Sequence, residues 1–358
     1  MKKIILKVFL LVIVVGIIIL INIQNKNKTH NSDFYKEDSI NKNSIEYTGW
    51  LKTKGAELQN QRGEKIQLRG ISSHGLQWYS ELVTYENLKE LKENWNINVF
   101  RIAMYTSPDE DGYIAHPEES KELVRKIVNY AIDLDLYVII DWHILKDNDP
   151  LIYKDESIKF FDEMSKEYAD TPNVLYEICN EPNGKFVTWA DKVKPYAEEL
   201  IKTIRKNSPK SLIIIGTPNW CTDIKSAADD PIMAPNIVYA CHFYAGSHKQ
   251  LLRDDIDYCI SKNIPIFISE CGITNSTGRG KIYEDSFNEW NKYINEKGLS
   301  WIFWSLGNKP ESSSIIKPEY KPYIEENDEL DSTKKAVDFN EYLTETGKII
   351  KGLLQKSY

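Results

Sequence analysis

Two glutamates at the ends of apolar segments are the residues in this sequence best suited to chemistry. Glu181 follows the strand-like run 174–178 and precedes Pro182, which cannot continue a strand ladder. Glu270 comes directly after a second strand-like run, 264–269. Two carboxyl groups can supply the general acid and the carboxylate that cleavage of an acetal requires. The spacing therefore predicts a two-carboxylate site.

The two carboxyl groups must differ in protonation to do this work. Arg101 beside one of them would keep it ionised, whereas burial and the neighbouring anion would keep the other protonated. If the groups stand about 5 Å apart, the ionised carboxylate attacks the anomeric carbon directly and the configuration is retained.

Other chemically able side chains also follow apolar segments. In chain order they are His74, Trp78, Arg101, Tyr105, Trp142, His143, Asn180, Trp220, His242, Tyr244 and Trp304. Each alone has a structural explanation, because a lone histidine is usually a hydrogen-bonded structural residue, a lone tryptophan is usually core, and a lone glutamate or arginine is usually ion-paired. Their shared position at segment ends favours one common site.

The elements that would position these residues alternate between strand-like and helix-like patterns. Strands are predicted at 66–71, 97–103, 136–141, 173–181, 211–217, 236–243, 264–270 and 299–305. Helices are predicted at 85–95, 117–134, 155–169, 188–206, 249–262, 283–297 and 343–354.

Eight strand-like runs at near-equal spacing, with helix-like patterns between them, predict a single (β/α)8 TIM barrel. The strands recur roughly every 33 residues, which is the length of one βα unit. A doubly wound open sheet is the alternative, but no G-x-G-x-x-G motif follows the first strand. The carboxyl ends of barrel strands meet on one face, so the barrel would bring the segment-end residues together.

The amino-terminal region differs in composition from the barrel. Residues 1–24 combine a basic start with an apolar block and are predicted to be a signal peptide or membrane anchor. No small-x-small cleavage site follows, which favours a retained anchor. Residues 25–44 are predicted to be a flexible polar tether, and 45–358 the catalytic domain. We expect an extracellular protein, either anchored to the outer face of the membrane or secreted.

The net charge and the cysteine content limit which binding partners and cofactors are expected. The net charge is −8 although the first 30 residues hold five lysines and no acidic residue, which argues against nucleic acid as a partner. The five cysteines show no metal-binding spacing, so no metal and no cofactor are expected. Their odd number leaves at least one free thiol, and a disulfide between Cys241 and Cys271 is left open. A monomer is expected.

Several segments together resemble the bacterial glycoside hydrolase family 5 endoglucanases. The resemblance covers about residue 45 to the end and includes the Asn-Glu-Pro motif that contains Glu181. The segments that carry it are 69–78, 98–105, 138–145, 176–183, 216–220, 242–244, 268–272 and 304–306. Cys179 and Cys271 depart from the family pattern, which usually has a small residue and an aromatic residue at these positions.

The resemblance implies roles for the residues around the two carboxyl groups. Glu181 would be the general acid/base and Glu270 the nucleophile, with Arg101 and Tyr244 steadying Glu270. Asn180 would bind the sugar 2-hydroxyl. His143 and His242 would line the same subsite, with His74 close by. Sugar platforms would be Trp78, Tyr105, Trp220 and Trp304, and Lys309 and Glu311 would bind hydroxyls on the non-reducing side.

The function that this resemblance implies is a retaining endo-β-1,4-glucanase acting on cellulose and related β-glucans. The alternatives are the same mechanism on mannan, xylan or mixed-linkage glucan, and a non-catalytic surface protein that binds sugar. The intact pair Glu181 and Glu270 disfavours the second alternative.

Overall fold

The computed structural model describes residues 41–42, 44–322 and 338–356. The predicted signal or anchor, 1–24, and nearly all of the predicted tether lie outside these residues. Within the described ranges, no helix has the length and apolarity needed to cross a membrane. Among the described residues, the barrel belongs to a compact unit that begins at Thr48.

Eight parallel strands close into a barrel, which confirms the predicted fold. A short antiparallel hairpin precedes them, formed by β1 (Lys52–Lys54) and β2 (Glu57–Gln59). The barrel strands are β3 (Arg69–Ser73), β4 (Val99–Tyr105), β5 (Tyr137–His143), β6 (Val174–Glu177), β7 (Ile213–Ile215), β8 (Ile237–Tyr244), β9 (Ile266–Gly272) and β10 (Trp301–Leu306). Each strand pairs with the next along the chain, and β10 pairs with β3 to complete the ring.

Helices follow the barrel strands in alternation. They are α1 (Tyr85–Trp95), α2 (Pro117–Asp133), α3 (Lys154–Glu167), α4 (Lys194–Asn207), α5 (Ile224–Asp229), α6 (Gln250–Ser261), α7 (Glu284–Lys297) and α8 (Glu345–Leu354). Local chemistry sets several starts: Thr84 and Thr344 accept amide hydrogen bonds as N-caps, and Pro117 occupies the first turn of α2. The sequence prediction missed α5 because six residues are too few to show a helical period.

The fourth barrel strand is shorter than predicted. It ends at Glu177 rather than at Glu181, because its pairing with both neighbours, β5 and β7, stops at Glu177. The chain beyond it stays hydrogen-bonded, since the Ile178 amide donates to Ile214 O (3.0 Å) and the Asn180 amide to Trp142 O (3.1 Å). Glu181 is therefore held in an irregular segment past the strand and not at its tip.

Successive side chains of a strand point to opposite sides, so the barrel has two buried regions: the layer between strands and helices, and the space inside the ring of strands. Large side chains such as Trp142 and Trp290 are buried between the strands and the helices, with Trp142 packing on Phe160 (ring centroids 5.5 Å apart). The placement of Trp142 among the site residues is therefore wrong, because it faces the opposite side of β5 from His143. Inside the barrel, the strands instead carry charged groups, among them Arg101, which is fully buried.

Candidate active site

A cleft of about 460 Å³ lies at the carboxyl ends of the strands. Most of the residues predicted from the sequence line it: His74, Tyr105, His143, Glu181, Trp220, His242, Tyr244, Glu270, Trp304, Lys309 and Glu311. Its wall also contains residues that the sequence analysis did not select: Leu145, Asn219, Thr222, His248, Ser276, Thr277 and Gly278. Arg101 and Asn180 are not part of the lining, because they are buried and bonded to the groups that form it.

The two glutamates face each other across this cleft. Glu181 is 8% exposed and Glu270 is 5% exposed. One carboxylate oxygen of each, together with a ring nitrogen of His242, lie within 4.8 Å of one another. These are also metal-ligand types, but a hydrogen bond already joins His242 Nδ1 to Glu181 Oε1 (2.8 Å). The oxygens of Glu270 have protein donors of their own.

Two donors hold the carboxyl group of Glu270. The Tyr244 hydroxyl donates to Oε1 at 2.6 Å, and Arg101 Nη1 donates to Oε2 at 3.3 Å. Burial and the charge of Glu270 raise the pKa of Tyr244 well above its usual value, so its hydroxyl keeps its proton as a donor. Both oxygens of Glu270 are thus fixed while the carboxylate remains at the cleft.

Arg101 lies at the centre of a buried charge network. Its Nε donates to Glu177 (2.7 Å), and its Nη2 contacts Asp141 (3.0 Å) and Asn180 Oδ1 (2.7 Å). Burial would raise the pKa of Glu177, but Arg101 and His242 lower it to about 2. Burial raises the pKa of Asp141 well above its usual value, although Arg101 opposes this. The arginine charge is therefore compensated chiefly by ionised Glu177, and Arg101 also contacts Glu270 (3.3 Å).

His143 is fixed in its neutral form by the same network. Its Nδ1 lies 2.6 Å from Asp141 Oδ2, and Asn180 Nδ2 donates to its Nε2 at 3.2 Å. Burial and the charge of Arg101 lower the pKa of His143 to about 3. The ring stacks against Trp304 with centroids 5.3 Å apart, so it forms part of an aromatic floor.

His242 is the main partner of Glu181. Besides its bond to Glu181, its Nε2 lies 2.9 Å from Ser269 Oγ. Burial opposes a charge on this ring, but contacts with Cys221, Glu177 and Glu181 raise its pKa well above the usual value. Glu181 therefore has this ring as its hydrogen-bond partner, whereas the oxygens of Glu270 accept from Tyr244 and Arg101.

A polar cluster closes one end of the cleft. Lys309 Nζ lies 2.9 Å from Glu311 Oε2, and His74 Nε2 lies 3.7 Å from Glu311 Oε1. Burial would raise the pKa of Glu311, but hydrogen bonds from His74 and Lys309 lower it to about 2. Trp304 packs on His74 with ring centroids 5.0 Å apart, so an aromatic face adjoins these charged groups.

Two exposed tryptophans lie at the cleft rim. Trp220 is 48% exposed and lines the cleft directly. Trp78 is 40% exposed and packs on Tyr105, with ring centroids 5.0 Å apart, rather than lining the cleft itself. Exposed indoles of this kind offer flat apolar faces beside polar groups.

The residues that sequence reasoning missed are mainly partners of the predicted ones. Asp141 and Glu177 interrupt otherwise apolar strands, and a charged residue in a buried strand must have a partner, which is the signal that could have identified them. His248 accepts the Tyr244 amide hydrogen on Nδ1 (2.9 Å) and gave no such signal. All five cysteines are buried and free, which answers the open disulfide question.

A family assignment follows from comparison with known sequences. Residues 59–310 match the family described as Cellulase (glycosyl hydrolase family 5).

The chain belongs to glycosyl hydrolase family 5.

Among characterised relatives of this family 5 chain, Endoglucanase A of Evansella cellulosilytica is 52% identical over 260 residues, which are 73% of this chain and 53% of the relative. The Endoglucanase of Clostridium saccharobutylicum is 49% identical over 271 residues, which are 76% of this chain and 60% of the relative. The chain thus spans about half to three fifths of the length of these relatives.

Solved structures of family 5 enzymes share the fold. The structure of Cellulase Cel5C_n matches with a TM-score of 0.80 and 39% identity, over 87% of this chain and 94% of that chain. The catalytic domain of Thermobifida fusca endoglucanase Cel5A (E5) matches with a TM-score of 0.78 and 31% identity, over 87% and 99% of the two chains.

The buried pair of Arg101 and Glu177 predicts a pH-dependent stability effect. Because the pKa of Glu177 falls from 4.5 to about 2, its ionised form stabilises the fold above about pH 4.5, and this contribution is lost as the pH falls through about 2. Glu177→Gln should lower the free energy of unfolding by about 3 kcal/mol at neutral pH and by less at pH 3. Urea denaturation at both pH values measures this difference.

The control is Glu167→Gln, which removes the partly exposed partner of Arg125. It should cost less than about 1 kcal/mol at either pH. A Glu177→Gln cost that is as small as the control, or that does not change with pH, would contradict the assigned ion pair.

Proposed function

We propose that this chain is a retaining endo-β-1,4-glucanase that hydrolyses internal β-1,4-glucosidic bonds of cellulose and related β-glucans. The observation that carries the proposal is the pair of carboxylates in one cleft, with oxygens within 4.8 Å of each other and different partners. A separation near 5 Å between the two carboxyl groups is typical of retaining glycosidases, whereas inverting enzymes need a wider gap for water.

In the first step, Glu270 attacks the anomeric carbon and the bond to the leaving oxygen breaks. Arg101 and Tyr244 orient Glu270 from below, so that its carboxylate meets the sugar with little reorganisation. Glu181 gives its proton to the leaving oxygen, since departure of an alkoxide would otherwise be too slow. His242 holds the Glu181 carboxyl in place for this transfer.

In the second step, water hydrolyses the glycosyl ester on Glu270. Glu181, now ionised, takes a proton from the attacking water, and the new bond forms on the face from which the first leaving group departed. Two inversions return the original anomeric configuration. From the family resemblance we propose that Asn180 contacts the 2-hydroxyl, where contacts strengthen in the transition state. In the structure it lies beneath the cleft lining, with Oδ1 held by Arg101 and Nδ2 donating to His143 Nε2 and Ile144 O, so one of these bonds would open for the sugar.

Several features support a β-glucan as the polymer. Trp78 and Trp220 are exposed at the rim, and β-1,4-glucan presents flat faces with equatorial substituents that suit stacking. The Lys309–Glu311 pair with His74 supplies donors and acceptors for sugar hydroxyls on the non-reducing side. Both relatives named above are endoglucanases, and a solved Thermobifida fusca Cel5A structure, 32% identical to this chain, holds cellotetraose.

The two glutamates give the sharpest test of mechanism. Glu181→Gln and Glu270→Gln should each lose several orders of magnitude in kcat while remaining folded, because each removes a catalytic group. With Glu181→Ala, added azide should release a β-glycosyl azide from the glycosyl-enzyme. With Glu270→Ala, azide should attack the substrate directly and give an α-glycosyl azide. Product configuration by NMR distinguishes the two roles.

The control for this experiment is Glu86→Gln, which changes an exposed glutamate in the first turn of α1. It should leave kcat unchanged. Near-normal activity in either Gln variant would contradict the assignment of that glutamate.

Substrate preference is tested on four polymers. The enzyme should cleave carboxymethylcellulose and mixed-linkage β-glucan internally, act more weakly on xylan, and show little or no activity on mannan, whose C2 hydroxyl is axial. Initial rates of reducing-end release, with viscosity as the measure of internal cleavage, decide this. A mannan rate above the glucan rate would reverse the substrate assignment while leaving the two-glutamate mechanism in place.

We also propose that residues 1–24 hold the enzyme on the outer face of the membrane. The support is compositional: a basic start, an apolar block and the lack of a small-x-small cleavage site after it. When cells are fractionated, the activity should be found in the membrane fraction. The amino terminus of the mature protein should be the start of the printed sequence. Soluble enzyme with an amino terminus between residues 25 and 45 would show instead that the segment is a cleaved signal.

A further inference from the structure

The loop after β7 contains an uncommon backbone turn. Asn219 and Trp220 have φ/ψ of 55°/52° and 54°/47°, and Cys221 has φ of 57°, so three successive residues that are not glycine are left-handed. This conformation is unfavourable for residues with a Cβ and occurs mainly in single residues. The turn persists because neighbouring contacts determine it.

Two of those contacts flank Glu181. The Trp220 amide donates to Pro182 O at 3.2 Å, and the Cys221 thiol donates to Asn180 O at 2.9 Å. Asn180 and Pro182 are the residues directly before and after Glu181 in the chain. Consecutive residues of the left-handed turn therefore hold the carbonyl on each side of the proposed acid/base.

The Cys221 thiol is itself fixed. The Thr217 amide donates to Sγ at 3.3 Å, and the S–H donates to Asn180 O. The sulfur also contacts His242, the ring that is bonded to Glu181. Cys221 is fully buried, and burial raises the pKa of its thiol, although the contact with His242 opposes this, so the S–H donor is kept. The backbones are also tightly packed here, since a Cβ added to Gly216 would lie 2.7 Å from Asn180 O.

We propose that Cys221 is a positioning residue for the acid/base glutamate: its thiol fixes the Asn180 carbonyl and thereby the direction from which Glu181 protonates the leaving oxygen. The inference rests on the proposed function, because it assumes that Glu181 is the acid. Trp220 belongs to the same turn, so a sugar that stacks on this indole contacts the backbone segment that orients Glu181.

Loss of this positioning should slow only those reactions in which Glu181 must protonate the leaving oxygen. A 2,4-dinitrophenolate leaves without acid assistance, whereas a phenolate leaves slowly unless Glu181 protonates it. A misoriented Glu181 should therefore slow cleavage of phenyl β-cellotrioside and spare that of 2,4-dinitrophenyl β-cellotrioside. The value of kcat/KM reports this first step for both substrates.

Four variants of the full chain test the proposal. Cys221→Ala should lose roughly five- to tenfold in kcat/KM on the phenyl substrate, about the effect of one neutral hydrogen bond, and less than twofold on the dinitrophenyl substrate. Cys221→Gly, which accepts the left-handed backbone, should show the same selectivity and serves if the alanine variant folds poorly. Cys221→Ser, which keeps a donor, should recover most of the phenyl activity.

Cys259→Ala is the matched control, because it removes another buried thiol, which donates to Ile224 O at 3.7 Å on the helical layer. It should affect both substrates equally. Equal losses on the two substrates in the Cys221→Ala and Cys221→Gly variants, no loss in either, or selective loss in Cys259→Ala would overturn the positioning role. If the wild type cleaves neither substrate, the proposed function fails and the inference fails with it.

Discussion

The structure depends on one fully buried guanidinium. Arg101 reaches Glu177, Asp141, Asn180 and Glu270 from β4, and these partners come from three places in the barrel ring: β5, β6 with the segment after it, and β9. A charge in this position is strongly unfavourable unless ionised and hydrogen-bonded groups surround it. The partners must therefore be close together before the arginine is tolerated, and the closed barrel is what brings them together.

This requirement links stability to chemistry. Arg101 stabilises the ionised form of Glu270 and holds Asn180, so the group that compensates the buried charge is also the group proposed to attack the sugar. The second glutamate has different partners. Glu181 pairs with His242, whose other ring nitrogen contacts Ser269. Two chemically identical side chains acquire different roles because their partners differ.

The aromatic residues around this core divide into two groups. Trp142 and Trp290 fill the layer between strands and helices, whereas Trp220 and Trp78 are exposed at the cleft rim. All four are tryptophans, so residue type does not distinguish the groups. The position of each residue in the fold does, and at Trp220 a left-handed backbone conformation places the ring at the cleft.

By itself, the sequence determined the repeating pattern of apolar strands and amphipathic helices, the two glutamates after such strands, and most of the residues that line the cleft. These are local signals, since a strand end or a helix period can be read within a few residues. The tertiary structure alone decided which groups pair. That Glu181 lies beyond a shortened strand, that Asp141 and Glu177 compensate Arg101, that the five thiols are free, and that Cys221 touches the carbonyl before Glu181 all depend on contacts between segments distant in the chain. Such contacts leave no periodic trace in sequence, because each is set by the closure of the barrel rather than by neighbouring residues.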